Sequence, residues 1–249
     1  HTIDISSLPQ LVWFYAPGNH LTQLDVSHNY DLEILNLGSN NLTTIDLSNN
    51  LRLKQIDIYG NQFTDLLDLS ILDSLESLSC GNNPLDYLDV TIHSNLLYFD
   101  FSETSCEVSM QFNANPELLN INCWNANLDF LDLAGCPKLE QLVFGDNNIR
   151  HLDVSGLDSL KVLNGYNNPL LDLNLSSNAK LIELYLNGTQ ISSLDLSTPN
   201  NAWIQVLSLN HNTHLKNLDL SGLQAGVGFG NILPNQLSNL NLSYTPSLS

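Results

Sequence analysis

Basic side chains are scarce in this sequence. Seven Lys and Arg residues stand against 26 Asp and Glu residues, giving a formal net charge of −19 over 249 residues. Such a field repels phosphate backbones and anionic membrane surfaces, so we expect no nucleic-acid partner. No run of about 18 apolar residues is present either, and we expect no membrane insertion. The acidic, solvated surface favours a secreted protein over a mimic of DNA.

Catalytic and metal-binding motifs are missing as well. The sequence has no G-x-S-x-G elbow, no H-E-x-x-H motif and no glycine-rich phosphate loop. It also has no C-x-x-C pair, which argues against a zinc site. We therefore expect a protein without enzymatic activity, catalytic residues or a cofactor.

A repeat of 21 or 22 residues dominates the sequence. Regular copies read L-x-x-L-x-L-x-x-N-x-L-x-x-L-D-L-S plus a short loop, and they begin at Leu11, Leu32, Leu53, Leu75, Leu96, Leu118, Leu139, Leu160 and Leu181. Stacked copies bury their leucines in one core, which a single copy cannot do. We predict one array over 1–249, of about 11 repeats and irregular at 198–236. Because TIDIS matches half a repeat and Leu248 opens a copy that does not continue, we expect a piece of a longer protein.

Both halves of each repeat alternate leucines with variable residues, as short parallel strands do. So short a repeat has no room for a full helix and its connections, and Asn, Ser and Gly occupy the loops. The predicted inward residues of the first strands are Phe14, Leu35, Ile56, Leu78, Phe99, Ile121, Leu142, Leu163 and Leu184.

This pattern resembles the leucine-rich repeat family over almost the whole chain. It is most similar to the 21-residue, internalin-like repeats of bacterial surface proteins, which often carry Cys at the sixth repeat position, as Cys80 and Cys123 do here. The resemblance implies a right-handed solenoid with a parallel β-sheet on the concave face. Short extended segments and loops are then expected on the convex side, with little helix. It also implies recognition of a protein or glycan partner.

The resemblance further implies that the Asn after each first strand points inward, where its amide can satisfy backbone groups at the bend. Thr104, Ala126 and Thr189 interrupt this series. Its members are Asn19, Asn40, Asn61, Asn83, Asn147, Asn168 and Asn212.

The four cysteines give little functional information. Cys80 and Cys123 lie two repeats apart, roughly 10 Å by strand spacing, which is too far for a disulfide. Cys106 replaces a core leucine, and Cys136 lies in a loop one repeat later. We expect at least three buried free thiols.

An Asp column precedes the last leucine of the repeats. It reads Asp4, Asp25, Asp46, Asp68, Asp89, Gln111, Asp132, Asp153, Asn174, Asp195, Asp219 and Asn241. Stacked carboxylates repel, so loop N–H and hydroxyl groups must offset them, or calcium must do so. Capping of the loops is the favoured interpretation, and we expect no metal site.

The outward positions along the first strand concentrate aromatic residues and exclude Lys and Arg. These aromatics are Trp13, Tyr15, Tyr59, Tyr98, Trp124, Tyr166 and Tyr185. Exposed Tyr and Trp beside carboxylates are typical of interfaces and sugar sites. We predict ligand-binding anchors at Tyr59, Tyr98, Trp124, Tyr166 and Tyr185. Polar groups of the ligand should be oriented by Asp57, Asp100 and Glu183.

These patterns predict an extracellular or cell-surface recognition and adhesion module that binds a protein or glycan through its concave aromatic-acidic face. One alternative is a structural spacer that carries another domain. The other is a glycan-active enzyme, because Asp57 and Asp100 lie about as far apart as the carboxylates of inverting glycosidases.

Overall fold

The protein is a parallel β-solenoid. The computed structural model describes residues 1–64, 68–85, 89–104, 110–197, 203–223, 228–229 and 237–241. These residues contain strands and turns but no helix, and hence no helix that could cross a membrane. Cys106, Leu248 and much of the predicted irregular stretch at 198–236 lie outside the described residues.

A sheet of eleven parallel strands forms the concave face. Its strands are Trp13–Tyr15 (β1), Ile34–Asn36 (β2), Gln55–Asp57 (β3), Ser77–Ser79 (β4), Tyr98–Asp100 (β5), Asn120–Asn122 (β7), Gln141–Val143 (β9), Val162–Asn164 (β10), Glu183–Tyr185 (β11), Val206–Ser208 (β13) and Gly228–Phe229 (β15). The second half-repeats form two shorter parallel sheets. One pairs Met110–Gln111 (β6) with Leu131–Asp132 (β8), and the other joins Ser193–Asp195 (β12), Asn217–Asp219 (β14) and Asn239–Asn241 (β16).

The predicted register of the concave sheet is confirmed. Phe14 pairs with Leu35, Leu35 with Ile56, and the same pairing continues through the later repeats. All the predicted inward residues are buried except Phe14, which lies in the first turn and is half-buried. Each outward residue therefore has its counterpart directly beside it in the next repeat.

Between its columns of buried polar residues, the interior is a continuous apolar core. In its centre Phe99 and Phe101 stack with ring centroids 4.8 Å apart, and Phe112 packs edge-on against Phe99. Cys80, Cys123 and Cys136 are buried free thiols, as expected. Burial raises the pKa of the Cys136 thiol to about 12, so this thiol is unreactive at neutral pH.

The inward asparagine ladder forms as expected. Asn40 donates to the carbonyls of Ala16 and Leu37 at 2.8 and 2.9 Å, and its side-chain oxygen accepts from the Leu21 N–H. Thr104 preserves one of these bonds, because its hydroxyl donates to the Phe101 carbonyl at 2.7 Å. The exception is Asn19 in the first turn, which is exposed and bonds only within its own loop. The ladder ties each turn to the one before it.

A second column of buried asparagines lies in the loop after the second half-repeat, where the sequence indicated only surface loops. Asn50 donates to the carbonyls of Val26 and Asn29 at 3.0 and 2.9 Å and is fully buried. Its equivalents are Asn29, Asn115 and Asn178. This position takes an amide in some repeats and an apolar residue such as Leu72 in others.

His93 occupies the same column and is only 1% exposed. Neither ring nitrogen has a hydrogen-bond partner of good geometry among the described residues. Burial lowers the pKa of this imidazole, although the Leu72 carbonyl and the carboxylates of Asp89 and Asp73 act in the opposite direction. The folded protein therefore resists protonation at this position.

We expect His93→Asn to stabilise the protein, and to do so more at pH 5 than at pH 8. An asparagine can donate to the preceding turn, as Asn115 donates to Val90 and His93. The unfolded histidine binds a proton near its ordinary pKa of 6.5 and the folded one at lower pH, so wild-type stability falls as the pH drops below about 6.5. Urea unfolding should show a gain of about 1 kcal/mol at pH 8 and more at pH 5.

The control is His28→Asn, which replaces an exposed histidine. It should leave the unfolding free energy nearly unchanged at both pH values. A gain from His93→Asn that is independent of pH would contradict the burial penalty assigned to the imidazole.

Candidate functional site

The predicted site residues occupy three rows of the concave face. Tyr98 and Glu183 begin strands β5 and β11. The ends of strands β3, β5 and β11 hold Asp57, Asp100 and Tyr185. The third row follows strands β3, β7 and β10 by two residues and contains Tyr59, Trp124 and Tyr166. This third row lies on the rim of the face, where the chain bends away from the sheet.

Trp124 and Tyr166 converge on one carboxylate between them. The Trp124 indole N–H donates to Asp146 at 2.6 Å, and the amide of Asn167 donates to the other carboxylate oxygen at 2.8 Å. The Tyr166 hydroxyl interacts with the same group. Partial burial alone would raise the pKa of Asp146. Hydrogen bonds from Asn167, Trp124 and Tyr166 together lower it by more, so this pKa lies below its ordinary value. We call Trp124, Asp146 and Tyr166 the rim clasp.

Gly145 makes room for the rim clasp. A β-carbon at this position would lie 2.6 Å from the Tyr166 ring. Asp146 itself has a left-handed backbone with φ of 54°, a conformation that costs a residue of this type about 1 kcal/mol. Its equivalents in neighbouring repeats are mostly Gly and Asn, which adopt this conformation more easily. The clasp therefore offsets a local strain.

Tyr59 spans two repeats in a similar way. Its hydroxyl donates to Glu103 at 3.0 Å, and Glu103 has φ of 55° in the same left-handed row as Asp146. Burial and the Glu103 carboxylate raise the pKa of Tyr59, which keeps the hydroxyl protonated as a donor. The sequence did not indicate this partner, because the two residues lie 44 positions apart.

The remaining carboxylates of the predicted site also bond within the protein. Asp57 accepts from the Asn36 amide at 2.9 Å and from the Tyr59 N–H at 3.0 Å. One oxygen of Asp100 accepts from the backbone and hydroxyl of Ser102. Glu183 accepts from the hydroxyl of Tyr185 at 2.9 Å. These side chains hold the strand ends and aromatic rings in place.

The contact surface differs from the expected run of exposed rings. Tyr59, Trp124, Tyr166 and Tyr185 are half-buried, whereas Tyr98 is 46% exposed. The most exposed aromatics of the face are Trp13 and Tyr15 on β1, at 62% and 57%, and neither is among the predicted anchors. Their outward position was readable from the repeat, but their exposure was not.

Two shallow grooves run across this face. One, of about 200 Å³, is lined by Ser77, Ser79, Tyr98, Asp100, Asn120 and Gln141, among others. The second, of about 190 Å³, includes Tyr15, Asn36, Gln55, Asp57, Ser77 and Ser79. Both grooves are lined by Ser77 and Ser79, so they adjoin one another. We call the two grooves together the trough, which crosses strands β1 to β9 of the concave sheet.

Basic residues stay off the concave face, as the sequence predicted. Arg52, Lys54, Lys138 and Lys161 each pair with a carboxylate of the preceding repeat. These pairs are exposed and contribute little stability, since such bridges are typically worth about 0 to 1 kcal/mol. Within the described residues, the concave strands therefore carry no Lys or Arg side chain.

The Asp column caps loops. In each case the first carboxylate or amide oxygen accepts the N–H two residues later, at Asp4, Asp25, Asp46, Asp68, Asp89, Asp132, Asp153, Asn174, Asp195 and Asp219. Bonds from the following Ser lower the pKa of Asp46 and Asp153. No group of three or more His, Cys, Asp or Glu side chains in the described part of the chain could hold a metal ion.

Removing two caps should lower the melting temperature at pH 7. We expect this of Asp46→Ala with Asp153→Ala, because each change leaves a loop N–H without its acceptor. The matching Asn variant keeps the acceptor and should stay close to wild type. Because the folded pKa values lie below 3.8, the part of the stabilisation that depends on the carboxylate charge is complete above about pH 4 and is lost as the pH falls through those values.

Thermal unfolding at pH 7 and pH 2, with and without EDTA, measures these effects. We expect EDTA to leave the melting temperature unchanged. A drop of several degrees on chelation would instead indicate that the column binds calcium.

Solved structures share this architecture. The functional domain of InlJ from Listeria monocytogenes superposes with a TM-score of 0.77 and 29% identity over 98% of this chain, which spans 56% of that chain. The internalin InlF from the same species superposes with a TM-score of 0.59 and 19% sequence identity. The match covers 94% of this chain and 88% of InlF. YopM from Yersinia pestis superposes with a TM-score of 0.63 and 23% sequence identity. The match covers 95% of this chain and 73% of YopM. No protein-family model and no curated protein matches the sequence.

The chain has the leucine-rich repeat fold. Its leucine-rich repeats are similar to those of InlJ, whose domain is described as including a cysteine ladder. In the present array Cys80 and Cys123 share one buried column, but Phe101 separates them. These two cysteines are therefore not neighbours in the stack.

Proposed function

We propose that this protein is a non-catalytic, extracellular recognition or adhesion module that binds a macromolecular partner, a protein or a glycan, through its concave face. The observation that carries the proposal is the trough across strands β1 to β9, flanked by ordered aromatic side chains and free of basic ones. Adjacent repeats add their outward side chains into one continuous surface, which suits an extended ligand. Exposed rings such as Tyr98 have a solvation cost and no role in the core.

Proteins of the same fold support a binding role. The receptor RGFR1 occurs in complex with RGF2, and LRIM1 occurs in complex with APL1C. At 14% and 18% identity these share only the architecture with this chain. Similarity to internalins supports a surface or secreted location for the proposed module.

Within this proposal Tyr98 is the principal anchor. Tyr59 and Trp124 flank the trough, and Tyr166 and Tyr185 extend the aromatic surface beyond it to strands β10 and β11. Hydrogen bonds to carboxylates hold these rings at fixed positions. Asp57, Asp100 and Glu183 orient those rings and the strand ends around the ligand. Preorganised aromatic side chains reduce the entropy lost on binding.

Host-protein and glycan arrays probed with the wild type and two double variants test this function. Trp124→Ala with Tyr166→Ala removes two aromatic rings of the concave face, and we expect at least tenfold weaker binding. The matched control, Phe130→Ala with Leu171→Ala, removes exposed apolar side chains from the second half-repeats and should bind as the wild type does. Circular dichroism and melting temperatures confirm that both variants are folded.

The remaining outcomes decide between the alternatives. Binding that survives the concave double variant in a folded protein would place the site elsewhere. A wild type that binds nothing on either array would favour the spacer, and turnover of a bound glycan would favour the enzyme.

A further inference from the structure

The hydrogen-bonding groups that remain available in the trough are neutral. Ser77, Ser79, Asn120 and Gln141 line it and make no side-chain hydrogen bond within the described part of the chain. Hydroxyl and amide groups of this kind can each donate and accept. By contrast, the carboxylate of Asp57 already accepts at both of its oxygens. The trough therefore offers paired donors and acceptors without a basic group and with few unengaged carboxylate oxygens.

Aromatic rings stand in both halves of the trough. Tyr98 is 46% exposed beside the first groove, and Tyr15 is 57% exposed beside the second. Their hydroxyls have no hydrogen-bond partner among the described residues, unlike those of Tyr59 and Tyr185. The faces and tips of these two rings are thus both available to a ligand.

From these observations we propose that the trough is a binding site for a neutral glycan, which lies along the solenoid axis with sugar rings stacked on Tyr98 and Tyr15. This inference rests on the proposed function and names its ligand class. Sugar hydroxyls both donate and accept, which matches the serine and amide groups between the two rings. The apolar faces of sugar rings match the exposed tyrosine rings. Each groove, at about 200 and 190 Å³, is a shallow recess rather than a deep pocket.

The negative charge of the protein should favour neutral glycans over glycans that carry anionic groups. The net charge is −19, and the concave face carries no Lys or Arg that could pair with a sialic acid or a sulfate. An anionic glycan of the same length must therefore approach a repulsive surface without compensation. Discrimination against the charged form is an expected property of the site.

The distance between the two tyrosines sets the length of glycan that can contact both. Its two tyrosines lie on strands β1 and β5, four strand spacings apart, which is roughly 19 Å at 4.8 Å per strand. A short oligosaccharide can therefore contact only one ring, whereas a longer chain can contact both. Affinity should rise with chain length up to the point at which both rings are covered.

An array of neutral oligosaccharides of one to eight residues, with sialylated and sulfated counterparts and a lysine-rich peptide, tests the inference on the intact chain. We expect neutral chains to bind and their anionic counterparts to bind at least tenfold more weakly. For chains long enough to contact both rings, Tyr98→Ala and Tyr15→Ala should each weaken binding at least tenfold, whereas a short chain can still occupy the ring that remains. Tyr98→Phe, which keeps the ring, should stay within about threefold of wild type.

Tyr30→Ala is the control, since Tyr30 is 54% exposed and lies in a loop outside the trough. Equal binding of neutral and anionic chains, or binding of the longer neutral chains unaffected by Tyr98→Ala, would overturn the inference. So would peptide binding in the absence of any glycan binding at millimolar concentration. In that last case the proposed function stands if the concave double variant loses the peptide, and both fail if no partner depends on the concave face.

Discussion

Replacing Gly135 with alanine should destabilise the protein by about 3 kcal/mol. A β-carbon at this position would lie 1.9 Å from the Phe112 carbonyl oxygen and 2.5 Å from the Cα of Asn113. Both atoms belong to the backbone of the preceding turn, which cannot rotate away as a side chain can. The two loops would have to separate, and Cys136, which is fully buried next to Gly135, would lose its packing.

A second glycine provides a matched control. Gly156 occupies the same loop position one repeat later, and a β-carbon there would meet nothing within 4 Å. Its φ of +80° still penalises alanine, so Gly156→Ala should cost about 1 kcal/mol. Urea unfolding of the two variants measures the difference. Equal costs would show that the close approach at Gly135 relaxes without loss of packing.

Phe144 and Gly165 should behave as a coupled pair. Phe144 is fully buried, and its ring fills the place of the missing side chain at Gly165, where a β-carbon would lie 2.1 Å from the ring. Gly165→Ala alone should cost about 2 kcal/mol because the ring has no space to move into. Phe144→Leu alone should cost about 1 to 2 kcal/mol through the void that it leaves.

Combined, the two substitutions should cost at least about 1 kcal/mol less than the sum of the single costs, because the new methyl group occupies part of the vacated volume. Equilibrium unfolding in urea gives the coupling energy. Phe63→Leu combined with Gly165→Ala is the control, since Phe63 is buried several repeats away and its effect should add to within about 0.5 kcal/mol. Additive costs for the Phe144 pair would mean that the ring and the glycine do not share one space.

The burial of the second asparagine column could not be predicted from the repeat pattern. Asn29, Asn50 and His93 recur in repeat register, but polar residues between two strands are typical of a solvated loop. The structure buries them against the preceding turn, where the amide of Asn50 donates to the carbonyls of Val26 and Asn29. Nothing in one repeat indicates that contact, because donor and acceptor belong to different turns.

In the candidate site, too, the repeat predicted where the side chains lie but not which of them bond to one another. The repeat placed Trp124 and Tyr166 correctly on the outward side of the first half-repeat, since alternation along a strand determines which side chains leave the core. It did not indicate that both would turn toward Asp146, or that Gly145 would leave room for the Tyr166 ring. Tyr98, in the first row of its strand, has no such partner and stays exposed.

The sequence by itself determined the solenoid, the register of its parallel strands, the inward asparagine ladder and the absence of basic groups from the concave face. The solenoid and the strand register follow from a period of 21 or 22 residues and from alternation within each strand. The inward asparagines follow from the resemblance to leucine-rich repeats, and the absence of basic groups is read directly from the residues at the outward positions. Only the tertiary structure decided which outward side chains bond to one another and which remain available to a ligand. That choice depends on distances of a few ångströms between different turns, such as the 2.6 Å between Trp124 and Asp146, and on the glycines that leave room for them.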